Sequence, residues 1–152
     1  MRRSFVAALV LGAVVLGFAL PASAGDNFVA PMSGDEENPA VDTQATGVAT
    51  IKFRDDGLVF KVNVANIDDV FAAHIHCGAV GVNGPIGVTL FMGDPASVNG
   101  TLASGVATAP DAGNDCGWAD LGDVLAAIES GDAYVNVHTL ANTGGEIRGQ
   151  VR

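Results

Sequence analysis

Positive charge is what this sequence has least of. Seven lysines and arginines stand against 17 aspartates and glutamates in 152 residues, a formal net charge of −10. Arg2 and Arg3 fall in an N-terminal leader; without them 5 basic residues face the same 17 acids, a net of −12. A chain this acidic has no electrostatic route to nucleic acid or anionic lipid, and cations or a basic partner suit it better. Settings for catalysis are scarce as well. Ser33, Ser97, Ser104 and Ser130 lack a recognisable nucleophile context. The carboxylates gather in loops instead of facing one another as a glycosidase pair. Asp35-Glu36-Glu37 lacks the alternate-residue oxygen spacing of an EF-hand and reads as a solvated loop. The glycine-rich stretch 78–85 is followed by neither a helix N-terminus nor a lysine, which excludes a phosphate cradle; its glycines permit tight turns. No internal repeat is present, and helical periodicity is confined to one segment. Nothing in the sequence calls for an enzyme.

What is present is glycine, 20 residues of it, and short runs of Phe, Val, Ile and Thr. That composition predicts one all-β domain with many turns, long enough to bury a core. Residues 1–24 read as a signal peptide: Met1-Arg2-Arg3, an apolar run of about 16 residues, then Ala22-Ser23-Ala24 before Gly25. The mature domain is therefore 25–152, secreted or periplasmic, with no stable membrane insertion once the leader is removed. Arg2-Arg3 leaves both general and twin-arginine export open. Strands are expected at 27–32, 48–53 and 58–65, the last two joined by Arg54-Asp55-Asp56-Gly57 with its Asp-Gly turn signal. A turn over 66–69 should lead into 71–77, followed by strands at 86–91, in 98–108, and at 133–139 and 145–151. Between them Leu121, Val124, Leu125 and Ile128 recur at helical spacing. With Asp120 as N-cap and Gly131 past the end, they predict one short helix at about 120–130.

All three histidines lie in two of these strands, Ala73-His74-Ile75-His76-Cys77-Gly78 and Tyr134-Val135-Asn136-Val137-His138-Thr139. With a side-chain period of two, His74 and His76 share one face of the first, and Tyr134, Asn136 and His138 share one face of the second. If the valines and isoleucine face the core, every histidine lies on the outer, polar side. Residues i and i+2 on a strand have Cβ atoms roughly 6–7 Å apart, so His74, His76 and His138 are a candidate three-histidine site for copper or zinc. Asn136 and Glu146 are candidate partners for the second ring nitrogens. The other reading of the same face is structural, with histidines hydrogen-bonded to neighbouring strands. Cys77 and Cys116 form an even pair, expected as a disulfide in an exported chain; the competing reading, Cys77 as a thiolate ligand, needs its side chain on the opposite face.

Several motifs resemble a known family in the right order. They are Met32-Ser33-Gly34 with Glu37-Asn38-Pro39-Ala40-Val41-Asp42-Thr43 and Ala45-Thr46-Gly47, Ala73-His74-Ile75-His76 with Gly78 and Gly81-Val82-Asn83-Gly84-Pro85, Tyr134 to Thr139, and Gly144-Gly145-Glu146-Ile147-Arg148-Gly149-Gln150. From about residue 27 to 151 the chain resembles a CHRD domain, the module first described in chordin and frequent in secreted bacterial proteins. It departs where the family commonly has Glu-Val-Pro-Pro. The resemblance implies an extracellular, mostly antiparallel, immunoglobulin-like or Greek-key β-sandwich. A role in growth-factor binding is not carried over, because the chain has no von Willebrand-type cysteine-rich repeats. The faint similarity to copper/zinc superoxide dismutases stops at the histidine count. The expectation is a secreted, non-enzymatic binding or structural module for an unknown extracellular ligand or protein, with no cofactor assigned. The alternative is a copper- or zinc-binding extracytoplasmic protein, with a redox role open.

Overall fold

The structure, a computed structural model, describes residues 27–152; the expected signal peptide falls outside them. Among the described residues, six strands and one α-helix follow in the order β1 (Asn27–Ser33), β2 (Thr46–Arg54), β3 (Gly57–Cys77), β4 (Ile86–Ala107), α1 (Leu121–Ser130), β5 (Ala133–Thr139) and β6 (Ile147–Gln150). The expectation of an all-β domain with one short helix is met. The strands form one antiparallel sheet in the order β2-β1-β6-β5-β3-β4, with β2 also paired to β3. That additional pairing folds the sheet back on itself into a barrel-like arrangement, in place of two separately hydrogen-bonded layers.

The closure depends on β3. Its first half, Gly57 to Ala65, pairs with β2, and its second half, Val70 to Cys77, pairs with β5. β4 pairs with it from end to end, so β2 and β5 take consecutive lengths of the edge that β4 leaves free. The sequence reads a turn at 66–69; the chain instead continues as strand through two left-handed residues, Asn66 (φ 55°) and Asp69 (φ 54°). Asn and Asp tolerate that conformation better than other side chains, and extra residues of this kind bend a strand without ending it. The register against β4 shifts at the same place. β4 likewise joins into one strand what the sequence reads as two.

Apolar alternation fills the interior. Ile51, Leu58, Val62, Ile75, Val135, Val137 and Ile147 are fully buried, each contributing on the order of 1.5–3 kcal/mol relative to exposure. Helix α1 adds Val124 and Ile128 to this core. Its ends are as the sequence predicts: the Asp120 carboxylate accepts from the Gly122 and Asp123 N–H groups, and Gly131 takes the left-handed conformation past the C-terminus. Cys77 and Cys116 form a disulfide, which removes the thiolate-ligand reading. It ties the end of β3 to the loop before α1 across 39 residues of chain. On the chain-entropy account a loop of this length is worth about 4 kcal/mol. The Cys77→Ser/Cys116→Ser double variant is expected to lose about that much stability in urea unfolding; a loss below about 1 kcal/mol would show that the 78–117 segment is held by packing alone.

Candidate metal centre

Three strands build the site by register. β3 and β5 set Ala72 opposite His138, His74 opposite Asn136 and His76 opposite Tyr134. β6 then sets Arg148 opposite Asn136 and Gln150 opposite Tyr134. With a period of two, these side chains share one face while Ala73, Ile75, Val135, Val137 and Ile147 point into the core. The expected parity of the histidines therefore holds. Their exposure does not. His74, His76 and His138 are 4%, 7% and 7% exposed, because chain distant in sequence covers this side of the sheet. Loops 34–45 and 78–85 join across it, Asn38 donating to the Gly81 carbonyl (2.7 Å) and Asn83 to the Asn38 carbonyl (2.5 Å).

The three imidazoles converge, each offering one nitrogen within 4.8 Å of the other two. Backbone carbonyls orient two of them. His76 Nδ1 donates to the Gly84 carbonyl (2.9 Å), and His138 Nδ1 donates to the Thr143 carbonyl (3.0 Å). Those bonds fix the proton on Nδ1 and leave Nε2 of both rings as an acceptor. His138 Nε2 lies 3.0 Å from His74 Nδ1. With the His138 proton on Nδ1, this contact is a hydrogen bond in which His74 Nδ1 donates to His138 Nε2, which leaves His74 Nε2 with the lone pair of that ring. Nε2 of His74 and Nε2 of His76 are buried without a hydrogen-bond partner. A cleft of about 540 Å³, lined in part by His74, His76, Pro85, Thr89, Met92 and Asp111, opens onto these two rings.

Electrostatics keep the rings neutral. Burial lowers the His74 pKa to about 4, helped by the proximity of His138 and His76 and opposed by Asp111. Burial also lowers His76, against the Gly84 hydrogen bond, and lowers His138, against the Thr143 bond. A neutral imidazole is the form that binds a metal.

Arg148 holds the covering loop in place. It is 1% exposed, stacks 3.4 Å over the Tyr134 ring, and donates to Asn83 Oδ1, the Ala79 carbonyl and the Val82 carbonyl at 3.0–3.1 Å. On the site side Tyr134 stacks with His76, their centroids 4.9 Å apart, and the Tyr134 hydroxyl accepts from Gly84 N–H (3.1 Å). Gly84 has to be glycine: a Cβ there would run into the Cys77 carbonyl, and its own carbonyl orients His76.

A family model, the CHRD domain, matches residues 28–151. The chain belongs to the CHRD family. No curated protein and no solved structure matches it. The motifs behind the resemblance noted in the sequence meet at this one place in the CHRD domain: the His-x-His strand, the 78–85 loop, the Tyr134 strand and the Arg148 strand.

Of the partners the sequence suggests for the imidazoles, Glu146 is displaced. Its carboxylate accepts from Thr139 (2.6 Å), Thr43 (2.7 Å) and Asn142 (3.2 Å). Burial alone would raise its pKa, but these three hydrogen bonds bring it below the ordinary value. It fastens the 34–45 and 140–146 loops, and backbone carbonyls take the role expected of it. Asn136 lies beside His76, where its side chain acts to raise the ring's pKa against burial, and its Nδ2 donates to the Gly144 carbonyl (3.4 Å). Glu37, read from sequence as part of a solvated acidic loop, instead turns inward beside Asn136. Burial raises its pKa to about 7 against the pull of Arg148 and the Asn136 and Asn38 hydrogen bonds. Gly145 allows this approach, since a Cβ there would strike Glu37 Oε1 and Asn136 Nδ2. No sequence signal marks the Glu37 contact, which joins residues about a hundred positions apart.

Two pH responses follow for the metal-free domain. Unfolded imidazoles take up protons near pH 6.5, whereas folded His74 resists protonation until about 4. Lowering the pH below 6.5 therefore favours the unfolded chain, and the His74 ring resonances should titrate near pH 4 by NMR; a midpoint near 6.5 would refute the burial assigned to it. Glu37 has the opposite sign. Its folded pKa is raised, so stability present below about pH 4.5 is lost as pH climbs through 7. Glu37→Gln should raise Tm over wild type by a margin that widens from pH 5 to pH 8, and a constant margin would contradict the assignment.

Proposed function

We propose that this CHRD domain is an extracytoplasmic metal-binding module that holds one copper or zinc ion through His74, His76 and His138. The observation that carries the reading is the convergence of three buried imidazoles, with Nε2 of His74 and of His76 lacking a hydrogen-bond partner. A purely structural histidine layer would be expected to satisfy those nitrogens, because a buried polar atom left unpaired costs about 1–3 kcal/mol. Nitrogen donors in this number suit copper and zinc and do not suit magnesium or calcium, which take oxygen ligands. The ring N–H groups of His76 and His138 rest on carbonyls, the second-sphere arrangement that orients ligating imidazoles. The disulfide and the family fit an extracellular-type module. On this reading the mature chain, after cleavage near residue 24, works outside the cytoplasm as a binding protein, and the ion it holds is part or all of the ligand that the sequence leaves unnamed. A bound copper ion would supply redox chemistry; a zinc ion would not.

Isothermal titration of the mature protein with Zn(II) and with Cu(II) tests the proposal. One equivalent of at least one ion is expected to bind wild type, with affinity reduced about 100-fold or more in His76→Ala. Equal, weak binding by the two proteins would remove the site.

A further inference from the structure

The strand register reaches beyond the three histidines. Across β4, β3 and β5 three rows run through the same face: Ile86–His76–Tyr134, Thr89–His74–Asn136 and Met92–Ala72–His138. Two bulges in β4, skipping Gly87 and Leu90, keep Ile86, Thr89 and Met92 on the histidine side, while Val88 and Leu90 are buried in the core. Met92 thus shares a row with His138 across the methyl of Ala72, with the Phe71 ring also beside His138 (centroids 6.0 Å). Directly opposed side chains on adjacent strands have Cβ atoms about 4.5–5.5 Å apart, so a long flexible side chain leaning over an alanine can meet a ring from the strand beyond. Met92 lines the same cleft as His74 and His76 and is 69% exposed. An unbranched thioether in that position has no core to fill and is free to turn inward.

A hard donor, Asp111, lines the cleft too and has a structural role. Asp111 accepts from Thr89 N–H through Oδ1 (3.0 Å) and from the Thr89 hydroxyl through Oδ2 (2.7 Å). Both of its oxygens are engaged in tying the 109–117 loop to β4. Asp115 also lines the cleft, on the exposed 109–117 loop, but of the cleft's further donors Met92 is the one that stands on a strand in register with the histidine rows. Softness decides between metals here: a thioether is a good ligand for Cu(I) and a poor one for Zn(II), which takes nitrogen, thiolate or carboxylate.

We infer that Met92 is the fourth ligand, its Sδ closing the cleft-facing coordination position, and that the domain takes copper as Cu(I). The inference rests on the three-histidine reading. Its test is competition for Cu(I) against bicinchoninate under anaerobic reducing conditions, run on mature wild type, Met92→Leu and His76→Ala, with Zn(II) titrations of the same proteins. Leucine preserves bulk and apolarity, and the exposed position leaves Tm unchanged. Met92→Leu is expected to weaken Cu(I) about 10-fold or more while leaving Zn(II) affinity within about 2-fold. Equal Cu(I) affinity in wild type and Met92→Leu, with loss in His76→Ala, would overturn the fourth ligand and leave the histidine site standing. Equal affinities in all three proteins would overturn both. A parallel loss of Cu(I) and Zn(II) in Met92→Leu would make Met92 a packing residue and likewise overturn the inference.

Discussion

The register between β3 and β5 is the constraint from which the rest of this molecule follows. It sets Ala72 against His138 and His74 against Asn136, so that residues 64 positions apart come within 3.0 Å through their ring nitrogens. Because side chains alternate across a strand, a slip of one residue would send the imidazoles into the barrel interior and Ile75, Val135 and Val137 out of it. The apolar core therefore fixes the polar site: burial of those three side chains makes any other register costly, by on the order of several kcal/mol. Since β3 also pairs with β2 and β4, its position is set on both edges before any side chain of the site is considered.

The second consequence is a buried polar layer between the sheet and the loops that cover it. Three imidazoles, Asn136, Arg148 and a carboxyl from Glu37 share this layer. Such an arrangement is stable only if its donors are satisfied, and the chain does this mostly with backbone carbonyls instead of ion pairs. Gly84, Thr143, Ala79 and Val82 each supply one. Carbonyls suit the task because they carry no net charge, so the imidazoles remain neutral while their N–H groups are held. Arg148 is held both by stacking on Tyr134 and by its three hydrogen bonds. A lysine there would keep the charge and lose both the planar contact and the forked donors.

How much of this was legible in the sequence depends on the range of each interaction. The face shared by His74, His76 and His138 could be read because it follows from a period of two within short segments and from valines that mark the core side. Asp120, Gly131 and the cysteine pair were legible for similar local reasons. The 66–69 stretch was misread as a turn, since Asn66 and Asp69 carry turn chemistry whether the strand ends or only bends. Closure of the sheet left no local mark: it needs one edge of β3 to serve two partners in succession. The burial of the histidine face and the inward turn of Glu37 also escaped, both produced by loops whose composition reads as solvated. Met92 was hidden for a further reason, that two bulges in β4 break the alternation that would have placed it beside Thr89.

Fold and site are linked energetically through the atoms that lack partners. Nε2 of His74, Nε2 of His76, Oδ1 of Asn136 and Oε1 of Glu37 are all buried and unpaired, and all lie in the one polar layer. At roughly 1–3 kcal/mol each, they take a sizeable share of the few kcal/mol by which a domain of this size is stable. The disulfide between Cys77 and Cys116 offsets a cost of that order through the unfolded chain, and it anchors the end of the His-x-His strand itself. Any ligand that occupies the two ring nitrogens removes part of the penalty in the folded state alone, so its binding energy appears as added stability. A neutral, incompletely satisfied layer of this kind is stabilised by whatever supplies the missing partners. On the proposed reading, the unpaired nitrogens that make the metal-free fold costly are the ones a bound ion would engage.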